Sequence, residues 1–482
     1  MRYSITSLAL LSIPLSLAAP APIPSSTVEA APLPVVTPAP SVDLEERQLL
    51  SNLLPGVLSH VGSLLKDVNG AIAAGDATRV LSDLKTIVPT ARPTDIKGAL
   101  YQQSKIWASP TTRTDFFAAV ATQLSNGLIL DGTLNTAING GLPVGENNIN
   151  NNNPALSPST IYPKKDSKDA PYKLSEADLQ KAIYIPSGFT YGVKPPVIFV
   201  PGTGSYGGST FANNLRKLLT GKSYADPVWL NIPGAMLADT QQNAEYIAYA
   251  INYISSICNN SKSISIISWS QGGLDTQWVF KYWPSTRSVV RDFLPVSPDF
   301  AGTVLANALC LSPNSDVALG PCVPAVIQQE ATSDYVRRLR KDGGASAYVP
   351  TTTFYSAFFD EIVEPQQGTS ASAFIQDARN VGVSNNEVQS VCAGQVGAGF
   401  YGHAGVLFHP LTYALIVDAL THDGPGSLCR IYVKSVCAQL AAPGLGLDDV
   451  LATSGLIPVA AALLLTYPQK ILVEPALRSY AS

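Results

Sequence analysis

The run Ser268-Trp269-Ser270-Gln271-Gly272-Gly273 carries the sharpest chemical signal in the chain. It follows the β-branched stretch Ser263–Ser268 and precedes a helical pattern at Leu274–Trp283. A serine in a tight turn between a buried strand and a helix is pushed out above the sheet edge, where its hydroxyl can attack a carbonyl carbon. The usual pattern for such a turn is Gly-x-Ser-x-Gly. Here Ser268, also small, replaces the first glycine, and Gly272 leaves out a side chain where strand and helix crowd together. The bland alternative is an ordinary Ser- and Gly-rich strand–helix turn.

A serine at its normal pKa needs a base. The chain has four histidines, His60, His403, His409 and His422. With the order Ser, acid, His that this kind of turn implies, His60 drops out. His422 ends the helical pattern Leu411–Leu420 and reads as a C-terminal cap. His409 precedes Pro410 and starts that helix. His403 lies in the open loop Gly399–Gly405 and is the leading candidate, ahead of His409 and then His422. The acid must end a strand between Ser270 and His403. Asp299, after Phe293–Ser297, and Asp360, after Thr352–Phe359, both qualify, and spacing does not choose between them. Asp275, on the helix after the turn, is expected to face solvent. Asp292, Asp316, Asp334, Asp342 and Asp377 read as loop or solvated residues. An oxyanion hole needs the N–H of Gln271 and a second donor, which Val200-Pro201-Gly202-Thr203-Gly204 can supply. No phosphate-loop motif and no CxxC pair occur, so no metal and no organic cofactor are expected.

The elements that must position these groups follow from the same pass. Val197–Val200, Ser263–Ser268, Phe293–Ser297 and Thr352–Ala357 read as strands. Asp239–Ile257 and Leu274–Trp283 read as helices, the first with Asp239 as its cap. Strands alternating with such helices predict an α/β domain over 166–482, a mostly parallel sheet covered on both faces. Ligands then gather at the carboxyl ends of the strands.

The rest is organisation. The chain has 482 residues, 46% hydrophobic and only 14% charged, with a formal charge of −4. That composition excludes wholesale disorder and a basic nucleic-acid surface. Arg2 followed by apolar Leu8–Leu17 and Ser16-Leu17-Ala18 reads as a secretory signal over 1–18, too short to anchor in a bilayer. Gly455–Tyr467 is apolar but interrupted by Pro458, so no transmembrane segment is expected. Residues 19–142 read as a Pro/Ala-rich segment and a small helical extension or propeptide, with apolar periodicity from Leu50 to Val61. The Asn-rich stretch 143–165 reads as an exposed linker open to proteases. All catalytic candidates but His60 lie beyond it, so the extension is expected to be dispensable for chemistry. Six cysteines in a secreted chain are potential disulfide partners. Asn259-Asn260-Ser261 is a glycosylation sequon.

Residues 166–482 resemble the fungal lipase B family (Candida antarctica lipase B type), of α/β-hydrolase fold. The resemblance rests on several motifs in matching order. They are Val200–Gly204, Asp239-Thr-Gln241, Ser268–Gly272, Ser297–Thr303, Gln328-Gln329, Ser356–Val363 and His403-Ala-Gly405. It implies Ser270 as nucleophile, Asp360 as acid and His403 as base, with Thr203 and Gln271 forming the oxyanion hole. It implies that Trp269 floors the alcohol side of the pocket, with Asp299 and Gln329 lining the acyl side; for Trp269 a plain core aromatic is the alternative. It implies a Cys392–Cys437 disulfide. Cys310–Cys322 is paired here only for proximity, and Cys258 and Cys429 are left unpaired. Asn307–Pro324 departs from the family's lid region. The implied activity is that of a secreted, extracellular serine hydrolase. It would cleave lipid carboxylic esters, in the manner of a triacylglycerol lipase, at a lipid–water interface. A short-chain carboxylesterase or transacylase with the same triad, and a silent binding module, are the alternatives.

Overall fold

The computed structural model describes residues 66–71, 76–107, 113–130, 132–134, 145–156, 160–306 and 321–482. All of them belong to the unit Gly56–Ser482. The expected signal, the Pro/Ala-rich segment, the Leu50–Val61 pattern, His60, Cys310 and Asp316 lie outside the described residues.

Short β-branched runs build the sheet. Its strands are β1 (Ile183–Tyr184), β2 (Pro196–Val200), β3 (Asp226–Leu230), β4 (Ile264–Trp269), β5 (Val290–Val296), β6 (Thr351–Tyr355) and β7 (Val383–Glu387). Their order is β1-β3-β2-β4-β5-β6-β7, with β1 antiparallel to β3 and every other pair parallel. Each residue of β2, β3 and β4 is buried, the pattern of parallel strands covered on both faces. The helices that position the site are α1 (Ala77–Lys85), α2 (Ile96–Ile106), α3 (Arg113–Ser125), α4 (Thr240–Ile257), α5 (Gln271–Tyr282), α6 (Pro324–Gln328), α7 (Asp334–Arg340), α8 (Pro410–Thr421), α9 (Leu447–Ser454) and α10 (Leu456–Thr466).

Strand alternation divides the core. Val197 and Phe199 of β2 pack on one face with Leu411 and Leu415 of α8. Ile198 and Val200 pack on the other with Ile247 and Ile251 of α4 and Leu274 of α5. The strand order reverses at β2, which has β3 on one side and β4 on the other. The loops leaving β2 and β4 therefore part at their carboxyl ends, the switch point where ligands bind in open α/β sheets. Thr203 is on one loop and Ser270 on the other.

The N-terminal helices share this core. α1 and α3 lie against α10, and α2 against α9. Val80, Leu84, Phe116, Val120 and Leu124 join the same buried cluster as Ile457, Ala461 and Leu465. Gln103 Nε2 donates to Ser454 Oγ at 2.6 Å, and Gln123 Nε2 to the Ser454 carbonyl at 2.9 Å. The window Leu447–Thr466 is long and apolar enough to cross a membrane by composition, but 72% of it is buried inside the protein. Core packing accounts for its composition.

The expected linker is exposed at half of residues 145–156 but is docked on the domain. The Glu146 carbonyl accepts from Trp229 Nε1 at 2.7 Å and Asn231 Nδ2 at 2.8 Å, and its carboxylate pairs with Arg216. Asn147 Oδ1 accepts from the Ser209 N–H at 2.9 Å. Asn153 Nδ2 donates to the Gln180 and Ile183 carbonyls at 2.9 and 2.8 Å. Asparagine-rich composition marks the absence of regular structure, but its amides can also satisfy the orphan backbone groups of other elements.

Cys392 and Cys437 form a disulfide across 45 residues, worth roughly 4 kcal/mol in the chain-entropy description. Cys322 is disulfide-bonded, and its expected partner Cys310 lies outside the described residues. Buried Cys258 and exposed Cys429 are free.

Gln123 joins the N-terminal helices to α9. Its Oε1 accepts from Trp107 Nε1 at 3.2 Å while Nε2 reaches Ser454. Gln123→Ala would orphan both groups, at about 1–3 kcal/mol each. Urea unfolding should show a lower midpoint, with turnover per folded molecule preserved. An unchanged midpoint would mean that this contact does not bind the two parts together.

Candidate active site

Ser270 sits where β4 ends and α5 begins, with φ 55° and ψ −132°. That is left-handed backbone on a residue other than glycine, a costly conformation that the surroundings must impose. Two glycines make it possible. A Cβ on Gly272 would come within 2.5 Å of the Pro201 carbonyl oxygen, and one on Gly202 within 2.8 Å of Ser270 Cβ. The loop after β2 thus lies directly against the serine. The expected removal of a side chain at Gly272 has this close approach as its reason.

His403 is fully buried. Its Nδ1 lies 2.9 and 3.0 Å from the two carboxylate oxygens of Asp360. With a carboxylate there, Nδ1 carries the proton and donates it, leaving Nε2 as the acceptor. Nε2 has no hydrogen-bond partner in the protein although it is buried. Asp360 is held in turn by the Ile362 and Val363 N–H groups at 3.0 and 2.8 Å. The ring is kept beside the serine turn by Trp269, whose Nε1 donates to the His403 carbonyl at 3.2 Å and whose ring centroid is 5.2 Å away. Ser297 Oγ donates to the same carbonyl at 3.2 Å. Trp269 is buried, so it is a core aromatic as well as a support for the histidine.

The contest for the acid has a geometric answer: Asp360, not Asp299, meets His403. Asp299 is also fully buried, and neither of its oxygens has a partner. Burial first, and Asp360 as well, push its pKa up to about 7. The other histidines sit where the sequence placed them. His409 caps α8, accepting from the Leu411 N–H at 3.1 Å and donating from Nε2 to the Gly397 carbonyl at 2.8 Å. Burial pushes its pKa down to about 4, so it is neutral. His422 closes the same helix, with Nδ1 3.2 Å from Asp418.

On the other side of Ser270, Thr203 Oγ donates to Gln271 Oε1 at 2.7 Å and lies 3.1 Å from Gln329 Oε1. Gln329 ends α6 and donates from Nε2 to Gln271 Oε1 at 3.1 Å. Thr203, Gln271 and Gln329 are therefore brought into one hydrogen-bonded group, which does not include the other expected acyl-side residue, Asp299.

Three expectations need correcting or extending. Asp275 does not face solvent: it is fully buried and accepts from Gln271 Nε2 and Tyr335 Oη at 3.1 Å each. Asp292 is not a solvated residue but a buried one, bonded to Ser265 and Arg291. Sequence reading also passed over Glu361. Its Oε2 accepts from the His403 N–H at 2.7 Å, and burial followed by the charge of Asp360 pushes its pKa up to about 7. Its position directly after Asp360 is the one signal that pointed to it. Among the described residues no group of three or more His, Cys, Asp or Glu could hold a metal ion.

Chemically, the arrangement offers a serine on a strained turn and an imidazole whose Nε2 has no protein partner. It adds a carboxylate fixing the tautomer and a donor loop opposite. No family model matches the chain. Over 291 residues, 60% of this chain and 80% of the relative, it is 36% identical to lipase B of Pseudozyma antarctica. The crystal structure of Aspergillus fumigatus lipase B has 43% sequence identity and superposes with a TM-score of 0.75, covering 87% of this chain and 100% of that one.

The two buried histidines predict different defects. His403→Ala should abolish ester turnover while leaving the fold intact. His409→Ala should lower the melting temperature through the lost cap and the orphaned Gly397 carbonyl, yet keep most turnover per folded molecule. A dead but well-folded His409→Ala variant would contradict the assignment of the base.

Proposed function

As a member of the lipase B family this chain is a carboxylic ester hydrolase, and we propose that it cleaves lipid esters through Ser270, His403 and Asp360. The observation that supports this most is the buried His403 ring: its Nδ1 is committed to Asp360 and its Nε2 is unpartnered beside the Ser270 turn. A buried acceptor without a partner calls for an explanation, and the hydroxyl proton of an attacking serine is one.

Ser270 Oγ attacks the ester carbonyl carbon as its proton passes to His403 Nε2. The carbonyl π electrons move to oxygen and give a tetrahedral oxyanion. Collapse expels the alcohol oxygen, which takes the proton back from Nε2, and Ser270 is left acylated. Water attacks the acyl-enzyme with His403 again as base, releasing the fatty acid and restoring Ser270. Asp360 holds the ring and stabilises its charged form. Gln271 N–H, at the positive end of α5, and Thr203 bind the oxyanion. At rest the single hydroxyl hydrogen of Thr203 points to Gln271 Oε1. A bond to an ionised oxygen is about twice as strong as a neutral one, so the hydroxyl turns to the oxyanion as its charge develops. Asp299 and Gln329 line the acyl side. The chain is read as secreted after loss of residues 1–18, in keeping with its disulfide. Asn259, exposed on the turn after α4 with φ 57°, is its glycosylation site.

Labelling with an alkyl phosphonate, followed by peptide mass analysis, tests the reading. An adduct on Ser270 is expected, and its absence would leave a silent binding module. Long-chain esters should be better substrates than short ones; the reverse order would make the protein a short-chain esterase.

Thr203→Val keeps the amide and the β-branched shape but removes the hydroxyl. It should lower kcat by ~10²–10³, about 2.7–4 kcal/mol, with little change in KM. A loss below about tenfold would take the hydroxyl out of the mechanism and leave the two amides.

The pH profile follows from His403. Burial pulls its pKa down, but Asp360 first, then Glu361 and Asp299, outweigh this and raise it above 6.5. The base works in its neutral form, so kcat/KM should fall as pH drops through a value above 6.5. Asp360→Asn should move this acid limb to lower pH as well as reduce kcat. A limb that stays in place would mean that another group controls it.

A further inference from the structure

The side-chain amide of Gln271 is tied to four partners on four elements. Its Nε2 donates to the Met236 carbonyl, on the loop after β3, at 3.0 Å, and to Asp275 Oδ2, one turn further along α5, at 3.1 Å. Its Oε1 accepts from Thr203 Oγ at 2.7 Å and from Gln329 Nε2 at 3.1 Å. Both hydrogens and both lone pairs of the amide are in use. Exchanging its oxygen and nitrogen would set oxygen against the Met236 carbonyl and nitrogen against Gln329 Nε2, so the network sets its orientation. Asp275 is itself braced from behind by Tyr335 of α7, whose hydroxyl donates to Oδ1 at 3.1 Å. Gln271, Asp275 and Tyr335 are all fully buried. The mechanism above does not use Asp275.

We propose that Asp275 is a positioning residue of the oxyanion hole: through the Gln271 amide it fixes where the Gln271 N–H and the Thr203 hydroxyl lie. The proposal rests on the reading of those two as oxyanion donors. A positioning group here faces an electrostatic constraint. A carboxylate charge just below the turn would oppose the negative charge that develops on the substrate oxygen. Burial first, with Asp299 and Asp239 adding to it, pushes the Asp275 pKa well above the ordinary range, against the pull of the Gln271 and Tyr335 hydrogen bonds. That shift works against a full charge at this point, while Oδ2 still accepts from Gln271 Nε2 and Oδ1 from the Tyr335 hydroxyl.

The test compares Asp275→Val and Asp275→Asn in the full chain. Each is assayed on a 4-nitrophenyl ester, with rates expressed per phosphonate-titratable Ser270. Asp275→Val removes the acceptor, so kcat per site should fall about tenfold, part of what a whole donor is worth, while KM stays within about twofold. Asp275→Asn keeps an acceptor for Gln271 Nε2 and a polar group for Tyr335, and should recover most of that kcat. The proposal is overturned if Asp275→Val keeps wild-type kcat, or if both variants are equally impaired. It is also overturned if the loss lies only in the number of titratable sites. Should Asp275→Val fail to fold, Tyr335→Phe removes the brace instead. A drop of about two- to threefold in kcat at constant KM supports the proposal, and an unchanged kcat overturns it. Failure of the underlying reading looks different: the wild-type chain would give no Ser270 adduct, or Thr203→Val would be silent.

Discussion

The backbone at Ser270 is the constraint on which the rest of the structure depends. A serine at φ 55° and ψ −132° is expensive, and the one bond across the turn, from the Gly273 N–H to the Ser270 carbonyl at 2.8 Å, does not by itself impose it. It is held because β4 is buried on both faces and α5 must start at once to cover the sheet. The crowding is met by glycine at the contacts where a Cβ would strike Ser270 or the β2 loop. The result is a serine at the carboxyl end of β4 and, at the same point, a helix start with no side-chain cap. The proposed nucleophile and oxyanion donor thus come from one turn and cannot move apart.

Around that turn the protein has gathered several buried carboxyls. Asp299, Asp360 and Glu361 all act on the charge of His403. Asp360 has two backbone amides and the imidazole to support a negative charge. Glu361 has one amide, and Asp299 has no partner at either oxygen. Like charges at close range in a dry interior disfavour one another. Burial first, and the nearby Asp360 as well, push the pKa of Asp299 and of Glu361 up to about 7. Asp275 follows the same rule on the other side of the turn.

Much of this was legible in the sequence because it is local. The strand–turn–helix around Ser270, the cap at Asp239, the loop position of His403 and the capping positions of His409 and His422 depend on neighbours within a few residues. Resemblance to a known family separated Asp360 from Asp299, which spacing had left level. What escaped depends on distant partners. Asp275 looked solvated because charged helix residues usually are, but the partners and cover that bury it include Tyr335, 60 residues on, and α5 is buried along nearly its whole length. β3 was hidden by its brevity and Pro227, and β7 by the polar run Val-Ser-Asn-Asn-Glu on the sheet edge. The Asn-rich stretch was legible as irregular, but not as docked, since its acceptors lie on segments that composition does not connect to it.

The N-terminal helices illustrate the same limit and link it to the chemistry. A change of composition near residue 145 reads as a boundary, yet apolar side chains on both sides of it share one core. α10 is the common element. α1 and α3 lie against it, and its Ala460 comes so close to Gly204 that a Cβ there would fall 2.8 Å from the Ala460 Cα. Gly204 adjoins Thr203 on the donor loop. An unbroken series of packed contacts therefore runs from the N-terminal helices through α10 to the loop facing Ser270. In an interior packed to crystal-like density such contacts transmit displacement rather than absorb it. The residues proposed to carry out the chemistry all lie beyond position 200, but the helix that packs on their donor loop is itself packed by residues before position 130.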